Sequence, residues 1–139
     1  MKDSAEESKA PAVLTELWTL LKGARAAFGQ ERVYRRAVTA PGELAPVMPL
    51  DPSAVLYGAP GLQLFDSLAV DCEGWVCVAT IVNGGITAVS PDGNRVEHHA
   101  TGDPGTTNIC FGGDDMRTAY VTCSSTGRLV SFPWPRQGM

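Results

Sequence analysis

The second half of this chain predicts an all-β fold: a partial β-propeller of about two blades, preceded by a short N-terminal α-helix. Three observations carry that prediction. From Phe65 to Thr122 the sequence repeats at a spacing of 42, with Asp66 over Asn108, Cys77-Val78-Ala79-Thr80 over Ala119-Tyr120-Val121-Thr122, and Gly85 over Gly127. A period of about 40–45 residues is that of propeller blades, each roughly four short strands. The apolar runs in this stretch are short and are cut by Gly, Asp, Asn and Pro, the residues tight turns require. A single blade cannot bury both of its faces, so each unit needs neighbours on either side.

Taken in order, residues 1–11 are polar and acidic and are expected to be disordered. Residues 12–30 are different. Leu14, Leu17, Trp18, Leu21 and Phe28 recur near helical spacing with alanines between, which predicts an amphipathic helix weakened at Gly23. Such a helix would cap an exposed β surface or dock on a partner. The propeller domain is expected from residue 31 to 139.

Arg32–Thr39 alternates and is read as a strand. The following loop, APGELAPVMPLDPS, contains four prolines, which remove backbone donors and exclude it from a central sheet position. Ala54–Tyr57 is read as a short strand. The full blade has strands at Ser67–Val70, Trp75–Ile81, Ile86–Ser90 and Arg95–Ala100. Asn83-Gly84-Gly85 is expected to supply the φ > 0 positions of a hairpin, and Pro91-Asp92-Gly93-Asn94 the next turn. A further blade follows with strands at Thr107–Phe111, Thr118–Cys123 and Gly127–Phe132.

Composition excludes several classes. The chain has 139 residues, 44% of them apolar, and a net charge of −4. That is enough for one domain with a core, and it offers nothing to attract nucleic acid or an anionic membrane. No apolar run is long enough to span a bilayer, and the first residues lack the apolar core of a secretory signal. Cys72, Cys77, Cys110 and Cys123 show no Cys-x-x-Cys spacing and are expected to be reduced, structural thiols in a cytoplasmic protein.

Five sequence features occur in order: FDSLAVDCEGW, a strand ending in Val78-Ala79-Thr80, Asn83-Gly84-Gly85, Ser90-Pro91-Asp92-Gly93, and FGGDDMRTAYVT. In this series the chain resembles the SMP-30/gluconolactonase (regucalcin-like) family, from about Val33 onward. The resemblance implies a six-bladed propeller and ring-opening of a sugar lactone by metal-activated water. It implies a divalent metal (Ca, Zn, Mn or Mg) held by a Glu, an Asn and an Asp. The Asp, which doubles as the catalytic base, matches Asp66. The Glu and Asn have no counterpart here: Glu43 lies in the proline-rich loop and Asn83 in a hairpin. The chain is therefore expected to be a C-terminal portion or truncated member, inactive alone. The alternative is a non-catalytic module that self-assembles to complete a ring.

Among individual residues, Asp66 is the candidate catalytic base and metal ligand, set against a plain Asx turn at a strand start. Asn108 and Thr107, one repeat later, are candidates for touching substrate, set against turn groups bonding the backbone. Asp71, Glu73, Asp92, Asp114 and Asp115 are read as solvated turn carboxylates, and His98 and His99 as surface residues on opposite strand faces. Trp134 between two prolines is read as a terminal anchor, and Arg35 and Arg36 as rim charges.

Overall fold

The computed structural model describes residues 16–21, 31–46 and 51–139, giving the backbone alone for 16–21. Three antiparallel sheets follow one another along the chain. The first contains β1 (Glu16–Leu21), β2 (Arg32–Ala40), β3 (Glu43–Leu44) and β4 (Val55–Gly58), with β3 and β4 sharing the far edge of β2. The second is β5 (Leu64–Val70), β6 (Val76–Ile81), β7 (Gly85–Val89) and β8 (Val96–Ala100), paired in chain order. The third is β9 (Thr106–Gly112), β10 (Thr118–Cys123) and β11 (Arg128–Pro133). The first strands β1, β5 and β9 lie side by side, as the inner strands of consecutive blades do. This is a partial propeller.

The helix expected over residues 12–30 is corrected where it is described. Glu16–Leu21 is a strand, paired antiparallel with Arg32–Ala37. Its sequence, Glu-Leu-Trp-Thr-Leu-Leu, is too short and too uniformly apolar for spacing to separate strand from helix. The backbone of β2 supplies a full ladder of partners, and that outweighs a weak helical preference. The rest of residues 12–30, and the disorder expected for residues 1–11, fall outside the described residues.

Two hydrophobic clusters flank the middle sheet. On one side Phe65, Val76 and Val78 meet Val33 and Ala59, with Leu56, Tyr57 and Leu68 alongside. On the other, Trp75, Cys77, Ala79, Ile86 and Ala88 meet Ile109, Ala119, Val121 and Trp134. Strand alternation makes this possible: residues 76, 78 and 80 point one way and 77 and 79 the other. With both faces covered, β6 and β7 read as continuous apolar runs.

The β6–β7 hairpin differs in detail from expectation. Its left-handed positions are Val82 (φ 78°) and Gly84 (φ 66°), while Asn83 and Gly85 take ordinary angles. A side chain on Gly84 would lie 2.8 Å from the Asp103 carbonyl oxygen, so glycine is required there twice over. Gly127, in the matching β10–β11 hairpin, has φ 65°.

Candidate functional site

The start of β5 is bulged. Phe65 stands opposite Thr80 and Leu68 opposite Val78, so Asp66 and Ser67 together face Ala79 alone. The start of β9 is bulged in the same way, with Thr106 opposite Cys123 and Asn108 opposite Thr122, leaving Thr107 extra. An extra residue re-aims side chains and bends the strand, which is why bulges gather beside functional sites.

These ladders revise the repeat. Phe65 matches Thr106, an offset of 41, whereas Thr80 matches Cys123, an offset of 43. The two added residues follow the inner strand: seven residues (112–118) separate the paired Phe111 and Ala119, whereas five (71–75) separate the paired Val70 and Val76. The spacing of 42 is the mean of the two. The structural partner of Asp66 is therefore Thr107, and that of Ser67 is Asn108.

Asp66 is half-buried on the inner strand of the middle sheet. Thr107 Oγ1 lies 2.9 Å from Thr122 Oγ1 and 2.8 Å from Ser124 Oγ. Asn108 is exposed beside them. The candidates thus occupy matching bulges on neighbouring inner strands: a carboxylate in one, hydroxyls and an amide in the other. Such an arrangement can accept a proton and bond to hydroxyl groups. Among the described residues, no group of three or more His, Cys, Asp or Glu could hold a metal ion. Asp66 alone does not make a metal site, and the described residues do not fit one.

Sequence reasoning missed a second polar centre. Asp71, expected from the sequence to be a solvated turn carboxylate, is fully buried. Its Oδ1 accepts from the backbone N–H of Glu73 (3.1 Å) and Trp75 (3.0 Å), and its Oδ2 accepts from Arg136 Nε. Arg136 also donates to both Glu97 oxygens, at 3.3 and 3.0 Å, and lies 4.0 Å over the Trp75 ring. Burial opposes charging Arg136, but hydrogen bonds to Glu97 and Asp71 outweigh it and hold its pKa above the ordinary value. Burial likewise opposes charge on Glu97, yet Arg136 keeps that carboxyl below its usual range. The available signal was an Asp at a Gly-containing turn and one arginine in an otherwise uncharged tail.

The tail completes this centre. Trp134, read as an anchor, is 2% exposed, and the His99 ring lies 4.3 Å from it. His99 is thus half-buried, while His98 is exposed on the opposite face. Backbone bonds run from Trp134 and Gly138 to Arg117 and Met116 of the third sheet's turn, and join Gln137 and Met139 to Cys72 and Val70 of the middle sheet. Burial, then the Asp71 charge, pushes the Cys77 thiol far up, so Cys77 is inert packing. The rim arginines bond to carbonyls, Arg35 to Pro91 and Arg36 to Ala45.

Residues 35–125 match the family model described as the SMP-30/Gluconolactonase/LRE-like region. Regucalcin from Bos taurus is 35% identical over 66 residues, covering 47% of this chain and 22% of that protein. Regucalcin from Oryctolagus cuniculus matches to the same extent. A 6-deoxy-6-sulfogluconolactonase from Pseudomonas putida is 32% identical over 75 residues, covering 52% of this chain and 26% of that protein. The chain spans about a quarter of the length of these relatives.

Proposed function

The chain belongs to the SMP-30/gluconolactonase/LRE-like family, and from that premise we propose that it carries one part of the site of a sugar-lactone hydrolase. Asp66 is the base. It takes a proton from water as the oxygen attacks the lactone carbonyl carbon; the ring C–O bond then breaks and the leaving oxygen is protonated, giving the open hydroxy acid. Asn108 and Thr107 would meet the hydroxyl groups of such a substrate. The observation carrying this reading is the bulge that sets Asp66 off its ladder at the start of an inner strand.

The family resemblance also implies a divalent metal, with Asp66 as one ligand. The described residues supply no fitting set, so no step is routed through it. The described residues carry only part of the site, and turnover by the chain alone is not expected. The four free thiols support a reducing, cytoplasmic setting, and no helix among the described residues is long and apolar enough to cross a membrane.

A pH-stat assay of δ-gluconolactone hydrolysis, with each of the four metals added, tests this. The isolated chain should match the buffer rate. Turnover that survives Asp66→Asn would remove the role given to Asp66.

A second reading is favoured by one observation. The third sheet has an outer face that no described residue covers, which suits a module that completes its ring by self-assembly.

A further inference from the structure

We propose that Asn83 is a site of covalent self-modification, deamidation through a cyclic imide formed with the Gly84 nitrogen, which the β6–β7 hairpin holds off while it stays closed. The inference is independent of the lactone chemistry. Of the chain's three asparagines, Asn83, Asn94 and Asn108, only Asn83 precedes a glycine. Glycine matters because the attacking group is the next residue's backbone nitrogen, and a side chain there would crowd its approach.

The step needs nothing but water. The Gly84 nitrogen gives up its proton and bonds to the side-chain carbonyl carbon of Asn83. The bond from that carbon to Nδ2 breaks, and the nitrogen leaves with the proton as ammonia. Water then opens the cyclic imide at one carbonyl or the other, giving Asp or an isoaspartyl link. One water is consumed and one ammonia released, with no change of oxidation state.

The fold restrains both reacting groups. Asn83 is exposed, so water reaches its amide. Its Nδ2 donates to His98 Nδ1 at 3.4 Å, and the Thr87 hydroxyl lies 3.4 Å from the same ring nitrogen. The Gly84 nitrogen is committed elsewhere. Its N–H donates to the Thr80 carbonyl at 3.2 Å, and the Gly84 carbonyl accepts from the Thr101 N–H at 3.1 Å. Gly84 is buried, and the Asp103 carbonyl closes the space beside its Cα. These bonds must open before the nitrogen can turn onto the side-chain carbon. The folded rate is therefore the open-chain rate reduced by the fraction of time the hairpin is open. Neither product restores the original contacts. An isoaspartyl link adds a main-chain carbon just before the Thr80–Gly85 pair, and Asp puts a negative charge beside His98. The conversion thus records that the hairpin has opened.

The test is peptide mass mapping of the whole chain, incubated at mildly alkaline pH with and without urea. In urea Asn83 should convert well before Asn94 and Asn108. In the folded chain it should convert more slowly by roughly tenfold or more. His98→Ala, which frees the amide, should speed the folded rate several-fold and leave the rate in urea unchanged, with circular dichroism intact. Equal rates folded and in urea would overturn the restraint by the hairpin. An Asn83 that outlasts Asn94 or Asn108 in urea would overturn the site itself. A folded rate unmoved by His98→Ala would overturn the part given to the ring.

Discussion

Arg136 reaches back 65 residues to put its Nε on the carboxylate of Asp71, which has no exposure at all. The pair joins the tail to the first turn of the middle sheet, and Glu97 and Trp75 complete its surroundings.

Removing one partner leaves the other charge buried and uncompensated, which costs more than the pair contributes. Arg136→Met should lower stability by about 3 kcal/mol, read from urea denaturation at neutral pH. The double substitution Arg136→Met with Asp71→Asn should recover part of that loss. A single substitution that leaves the urea midpoint unchanged would show the tail detached in solution.

Val82 has a β-branched side chain at φ 78°, held there while its N–H donates to the Pro104 carbonyl at 2.8 Å. Its side chain is half in solvent, so little packing is at stake. Val82→Asn should stabilise the protein by about 1 kcal/mol, because asparagine tolerates the left-handed region. A thermal melt reads this as a rise in Tm; a fall would mean the Val82 side chain packs more tightly than its exposure suggests.

Asp103 is buried and accepts from Thr126 Oγ1 at 2.6 Å, Gly105 N at 2.7 Å and Thr126 N at 2.9 Å. These donors, the Thr126 hydroxyl first, hold its pKa at about 2 against an ordinary 3.8. Because the folded value is depressed, the unfolded chain takes up the proton first. The stabilisation is whole above the ordinary pKa and is lost as pH falls from there through about 2. The urea midpoint of the native protein should therefore drop between pH 5 and pH 2 more steeply than that of Asp103→Asn. Asp92, held at about 2 chiefly by the Ser90 hydroxyl, adds to the same acid limb in both proteins.

Asp66 brings one carboxylate to its bulge, and the described residues add no metal-ligating set around it. Millimolar calcium, zinc, manganese or magnesium should stabilise the isolated chain by less than about 0.5 kcal/mol, and a chelator should leave Tm in place. A rise with one metal that Asp66→Ala abolishes would show a complete site formed with residues outside those described.

The strands from Phe65 onward were legible because turn residues fix their ends: Thr118–Cys123 agrees to the residue, and its neighbours shift by one to three. The repeat was legible as a period but not as a register. Sequence offers a single number, 42, whereas hydrogen bonding divides it into 41 and 43 around a turn that changes length. A slip of one residue turns a strand's side chains to the other face. Reading Cys77 over Ala119 thus joined residues that in fact face each other across the core. Asp66 and Thr107 could be named, but their matching bulges could not, since a bulge is a property of two strands. The strand at Glu16–Leu21 was missed because its partner, β2, decides its conformation. Asp71 resembles any turn acid until Arg136 is in place.

The tail has a mechanical consequence. Residues 134–139 are bonded to Arg117 and Met116 on one sheet and to Cys72 and Val70 on the other. A pull applied at Met139 loads both sheets before it reaches the end of β11. Stretched from that terminus, the two sheets should yield in one rupture, at the force needed to strip the tail from both of them, instead of unravelling strand by strand.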